Sequence, residues 1–171
     1  ELGMTNIKIT DINDYNDVEI FGYYKEYVLD KKVLTYDEFM DGCNKEARDN
    51  NRTPMQWNNK VNAGFNDGHK PWLKINDNYH QINAEDEIND KDSIFNFYKK
   101  LIALRKDEKY AKAFVYGTFK AIDEDKKNIF IYLREIDDIK ICIVCNMNKF
   151  KEEVNIPFNI KETLISNYNK E

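Results

Sequence analysis

Cysteine, histidine, proline and glycine are all scarce in this chain, and each scarcity excludes something. Three cysteines, Cys43, Cys142 and Cys145, stand among 171 residues. The count is odd and too small for a disulfide framework, so a reducing, cytoplasmic setting is expected. Two histidines, His69 and His80, have no metal-ligand spacing, and no D-x-D-x-D run suggests calcium. No metal and no cofactor is therefore expected. Three prolines and six glycines form no low-complexity block. No apolar run approaches the ~20 residues that span a bilayer, so no membrane partner is expected. Positive charge is also short: 26 Lys and Arg against 31 Asp and Glu give a net charge of −5. They form no basic stripe, which excludes nucleic acid as a partner. The opening "ELGMTNIKIT" has neither a basic n-region nor an apolar h-region, so it is no signal peptide. It also lacks a first Met, as a piece of a longer chain would.

What the chain does have is aromatic mass. Eleven Tyr and ten Phe, with 42% hydrophobic and 33% charged residues, suit a globular protein with a charged surface. Val18, Phe21, Tyr24, Tyr27 and Val28 fall at helical spacing, with acidic residues before them and Lys31 and Lys32 after. Thr35 and Glu38 form a T-x-x-E capping box, which predicts a second helix ending near Ala47. "DKDSIFNFYKKLIALRKDEK" carries Ile94, Phe97, Tyr98, Leu101 and Ile102 on one stripe, with Asp90 or Asp92 as cap and cations toward its end. Such a helix is expected to lay its apolar face on a sheet or barrel.

Beyond that helix the period changes to two. "FVYGTFKAI", "NIFIYLRE", "IKICIVCN" and "EEVNI" read as short antiparallel strands, with "TLISN" as a fifth run. Cys142 and Cys145 are spaced C-x-x-C, but on a strand positions three apart face opposite sides, so neither a redox nor a zinc pair is expected.

Between the helices, residues 48 to about 90 show no sustained period, yet hold Trp57, Phe65, Trp72 and Tyr79. An irregular segment of that length in a compact domain is usually functional, and its aromatics argue that it is packed down. The tryptophans are expected to anchor it by burial rather than to stack on a ligand. The histidines, in loop context, are expected at the surface or hydrogen-bonded. Its start, "ARDNNRTPMQW", crowds two arginines and an aspartate beside a proline and a tryptophan.

The succession of "RDNNRTPMQW", "NAGF", "PWLKIN", "NYHQIN" and "DKDSIFNFYKKLIALRK" resembles the C-terminal part of a glycoside hydrolase family 13 enzyme, in the oligo-1,6-glucosidase and alpha-glucosidase group. "ELGMTN" resembles the G-E-E-[IL]-G-M-T-N run of that group, and the β-rich tail its C-terminal domain. The likeness covers nearly the whole chain. Asn58 departs from it, standing where the group commonly has an acidic residue.

The resemblance implies an α+β fold. Residues 1–110 would be the C-terminal end of a (β/α)8 barrel, helices plus a long irregular loop. Residues 111–171 would be an antiparallel β domain, incomplete and truncated. It implies retaining hydrolysis by two carboxylates ~5–5.5 Å apart. Those carboxylates would lie upstream, so no catalytic residue is expected here and the chain alone should be inactive. The partner implied for the intact enzyme is an α-linked glucose oligosaccharide. Arg48 or Arg52 would reach it from a cleft loop with Asp49 holding the arginine, since such loops build the C-terminal face of a barrel. An Arg–Asp49 pair that only stiffens the loop is the plainer alternative. At the level of the whole chain the alternative is a non-catalytic carbohydrate-binding or interaction module derived from such an enzyme. The apolar stripe of the third helix, without a barrel to cover it, implies self-association of the isolated chain.

Overall fold

A computed structural model describes residues 2–122 and 127–167. They fall into two compact units, residues 1–96 and 97–171.

The first unit is helices and irregular chain around one apolar cluster. Residues before Asp11 run extended, and Ile7 and Ile9, two apart, turn inward to join Ile12, Tyr15, Ile20, Phe39 and Met40. Among the described residues no strand pairs with this segment. A side chain substitutes: Asn44 accepts from the Ile9 N–H (2.8 Å) and donates to the Ile9 carbonyl (2.9 Å). Helix α1 (Val18–Tyr23) is capped by Asp17, whose carboxylate accepts from the Glu19 N–H at 3.1 Å. It continues as a π-helical stretch, Tyr24–Asp30, so the predicted helix is present with a widened second half. Helix α2 (Tyr36–Glu46) has the full Thr35–Glu38 capping box and ends at Ala47, as the sequence predicts. Its Phe39 packs on Tyr24, ring centroids 5.5 Å apart, and Tyr24 meets Tyr36 edge-on at 5.9 Å.

The long segment after Ala47 is a chain of tight turns, Arg48–Arg52, Val61–Gly64 and Asp77–His80, followed by a helix that periodicity misses, α3 (Ala84–Asn89). Six residues are too few to show a period. The signal lies in its cap, where Asn83 accepts from the Asp86 N–H (3.0 Å) and donates to the Asp86 carboxylate (2.7 Å).

Helix α4 spans Ile94–Lys106. Its first turn is held neither by Asp90 nor by Asp92. Ser93 Oγ accepts from the Asn96 N–H at 3.1 Å, and Glu87 accepts from the Phe95 N–H at 2.9 Å. Asp90 is occupied with the Asp92 N–H instead. No residue of α4 is buried, and Ile94, Tyr98, Leu101 and Ile102 are exposed. The expected cover of this stripe is thus absent among the described residues.

The second unit holds α5 (Ala111–Tyr116) and an antiparallel sheet of β1 (Thr118–Ile122), β2 (Ile129–Ile136) and β3 (Ile139–Asn146), in that order. Three strand expectations are corrected here. "FVY", read as the start of a strand, is the end of α5. Its β-favouring residues are overridden because Arg134 of β2 donates to the carbonyls of Ala113, Phe114 and Val115 at 3.2–3.4 Å, closing the helix C-terminus. Gly117 then admits no side chain, since a Cβ there would sit 2.4 Å from the Ala113 carbonyl. "EEVNI" and "TLISN" are irregular. Alternation makes a strand only where a neighbouring strand takes its hydrogen bonds, and among the described residues neither run joins the ladder. The C-x-x-C pair lies on a strand, as its alternating neighbours predict. Cys142 pairs with Leu133 and Cys145 with Phe130, on opposite faces, and burial pushes the Cys142 thiol up.

Candidate functional site

The arginine-rich loop is built by the carboxylate that caps α1, Asp17, by Glu19 in that helix's first turn, and by one of its own. Ala47 ends α2 in extended conformation, and Asn50 donates to the carbonyls of Cys43 and Asn44 (3.2 Å each), so the loop is stitched to the helix it leaves. That places Asp49 inward, fully buried. Its Oδ2 accepts from the backbone amides of Asn16 (2.7 Å) and Asp17 (3.0 Å). A carboxylate accepting two backbone amides is a strong, directional tie, and it fixes the chain where α1 begins.

Arg48 and Arg52 leave this tie in different ways. Arg48 Nε lies 3.6 Å from the buried carboxylate of Asp17, and Nη1 lies 3.5 Å from Glu19. Its side chain is nevertheless 57% exposed. Both distances exceed the 2.7–2.9 Å of a charge-assisted hydrogen bond, so the guanidinium is oriented by charge while its donors remain open. Arg52 Nη1 stands 3.7 Å from Asp49 Oδ1, an oxygen with no hydrogen bond among the described residues. The structure therefore brings Arg48, Asp49 and Arg52 into one network. It adds Asp17, Glu19 and Asn16, some thirty residues upstream. The sequence marks Asp17 and Glu19 only as acids before and in a helix.

The loop's far end is pinned by Gln56, also fully buried, which donates to the Ile82 carbonyl (2.5 Å) and to Asn78 (3.1 Å). The Trp57 N–H donates to the Ala63 carbonyl at 2.8 Å, and its own carbonyl accepts from Glu85. The expectation that the tryptophans anchor the segment by burial is wrong. Trp57 and Trp72 are 52% and 55% exposed. Main-chain bonds and smaller residues do that work: Ala63, Leu73, Ile75 and Ala84 are its buried apolar side chains alongside Pro54. His69 and His80 are exposed, and His80 Nδ1 pairs with Asn59. Asn58 accepts from the Lys60 N–H at 3.0 Å, a turn contact that needs no charge. Among the described residues no three His, Cys, Asp or Glu side chains cluster to hold a metal. None of the helices there is long and apolar enough to cross a membrane.

Comparison with known proteins gives the chain its family. The family model for the alpha-amylase catalytic domain matches residues 1–117. The chain belongs to the alpha-amylase family. It is 38% identical over 175 residues to an oligo-1,6-glucosidase of Bacillus cereus, covering all of this chain and 30% of that protein. Among solved structures it is similar to a trehalose-6-phosphate hydrolase of Bacillus licheniformis, with a TM-score of 0.85 and 40% identity over 97% of this chain and 30% of that one. It is similar too to an isomaltulose synthase of Klebsiella sp. LX3, with a TM-score of 0.80 and 40% identity over 87% and 26%. The chain thus spans about 30% of the length of the curated relative it matches.

Proposed function

We propose that this chain is the C-terminal part of a retaining α-glucosidase acting on short α-linked glucose oligosaccharides, with the catalytic carboxylates supplied by residues outside it. In this reading residues 1–110 complete a barrel and residues 111–171 form the appended β domain. The observation that carries the proposal is the state of Arg48. It is half-exposed, oriented by two carboxylates without being saturated by them, and set on a loop whose Asp49 is buried as a tether. A guanidinium so prepared offers donors to sugar hydroxyls at little cost in lost freedom. Arg52 is the second candidate, held at longer range by Asp49.

The test has two arms. The 171-residue chain, purified alone, releases no glucose from isomaltose or maltose; release that tracks the purified chain would sink the proposal. In the enzyme that carries the carboxylates, Arg48→Ala lowers kcat/KM for isomaltose by about 10- to 100-fold. That is the loss of one charged hydrogen bond worth about 1.5–3 kcal/mol. Arg48→Lys recovers part of it. An unchanged kcat/KM in both variants would show that Arg48 only stiffens its loop.

A further inference from the structure

Asp17 serves two elements at once, and the two tasks fall on different oxygens. Its Oδ1 accepts from the Glu19 N–H at 3.1 Å and so caps α1. Its Oδ2 lies 3.6 Å from Arg48 Nε. The cap needs only an acceptor oxygen, which the neutral amide of an asparagine supplies equally well. The contact with Arg48 is one of charge with charge, and a neutral residue at 17 would lose it.

Which partner orients the other follows from their freedom. Asp17 is buried, and its main chain is held as well, because its N–H donates to the buried Asp49 carboxylate at 3.0 Å. Arg48 has a long, half-exposed side chain with rotamer freedom to lose. Adjacent loop residues thus grip one residue of α1's start: Asp49 takes its amide and Arg48 faces its carboxylate. Glu19 is a weaker guide. Its side chain is 55% exposed, so its contact with Arg48 at 3.5 Å restrains two mobile groups and is screened by solvent. A buried carboxylate acts through less water and keeps more of its field.

We propose that Asp17 is the positioning residue of the arginine site: its charge, fixed at the start of α1, sets the direction in which Arg48 presents its guanidinium to the sugar. The role rests on Arg48 being a sugar contact, and it assigns the direction of that contact to one carboxylate outside the loop. At 3.6 Å the pair is longer than a charge-assisted hydrogen bond, so Asp17 directs Arg48 without consuming its donors. Asp17 itself touches no substrate in this role.

The experiment uses the enzyme that carries the catalytic carboxylates. Asp17→Asn keeps the cap and removes the charge, so the melting midpoint is expected to stay within about 3 °C of the parent. Its kcat/KM for isomaltose is expected to fall about 10-fold, short of the ~100-fold that a misplacement of about 1 Å can cost. In an Arg48→Ala background the same change is expected to cost less than about 2-fold, because the group it directs is gone. Asp17→Ser, a second neutral cap, is expected to repeat both results. A crystal structure of Asp17→Asn is expected to show the guanidinium turned away from residue 17. Parental kcat/KM in Asp17→Asn beside a damaged Arg48→Ala overturns the positioning role and leaves the proposed function standing. So does an equal loss with and without Arg48, an unmoved guanidinium, or a melting midpoint that falls in both neutral caps. An undamaged Arg48→Ala overturns the proposed contact, and this role with it.

Discussion

Backbone conformation at single residues decides whether the irregular segment holds its shape. Asn62, Ala63 and Gly64 are consecutive left-handed residues, with φ of 51°, 55° and 69°. Only glycine adopts this region freely, and a run of three is costly unless other contacts enforce it. Here the return is specific: the Ala63 carbonyl accepts from both the Trp57 and Asn58 amides, at 2.8 and 3.1 Å. Gly64 has no room for more, since a Cβ would lie 2.5 Å from the Asn58 side chain. Gly64→Ala is expected to destabilise the first unit by about 1–3 kcal/mol, from strain and crowding together. Denaturant unfolding measures it. A variant within ~0.5 kcal/mol of the parent would show that the turn relaxes without loss.

At the scale of elements, α2 depends on its N-terminus. Thr35 Oγ1 accepts from the Glu38 N–H, and the Glu38 carboxylate accepts from the Thr35 N–H and hydroxyl at 2.9 and 2.8 Å. Those bonds, the backbone one first, hold the Glu38 carboxyl below its usual value. A depressed carboxylate contributes stability that is present above its unfolded pKa, ~4.3, and is lost as pH falls through the lower folded value. Melting temperature should therefore drop with acidification below about pH 4, and Glu38→Gln should flatten that part of the profile. If both chains show the same acid slope, the box contributes no proton linkage. Thr35→Ala is expected to cost about 1 kcal/mol at neutral pH.

Across the first unit as a whole, Tyr15 joins the apolar cluster to the polar frame around the arginine loop. It is buried, and its hydroxyl donates to Asn44 at 3.3 Å. Burial chiefly, then the neighbouring Cys43, Asp49 and Tyr36, pushes its phenol well above the usual tyrosine value. The sign is the reverse of Glu38. A raised pKa means the folded state keeps its proton longer, so stability is complete below the unfolded value of ~10 and is lost as pH rises beyond it. Urea midpoints should fall steeply between about pH 9.5 and 11, and Tyr15→Phe should remove part of that fall. An identical alkaline limb in the variant would assign the loss to other groups.

The sequence by itself determined the elements whose cause is local. The capping box of α2, the stripe of α4 and the alternation of β2 and β3 are each written within a dozen residues, and the structure follows them. The loop "RDNNRTPMQW" was legible only as a candidate, because no local period could explain its arginines. Tertiary structure decided what depends on distant partners. Arg134 turned "FVY" into the end of a helix, and "EEVNI" and "TLISN", which join no ladder among the described residues, are irregular. Trp57 and Trp72 are exposed while the chain beside them is fixed by main-chain bonds to residues 63 and 85 and by the Asn16 side-chain amide, which donates to the Trp72 carbonyl. The acids that orient Arg48 lie on α1, and no spacing rule connects residue 17 to residue 48. Local hydrogen bonds and periods are encoded where they are made, whereas a buried carboxylate such as Asp49 acquires its partners only once the chain has brought them to it.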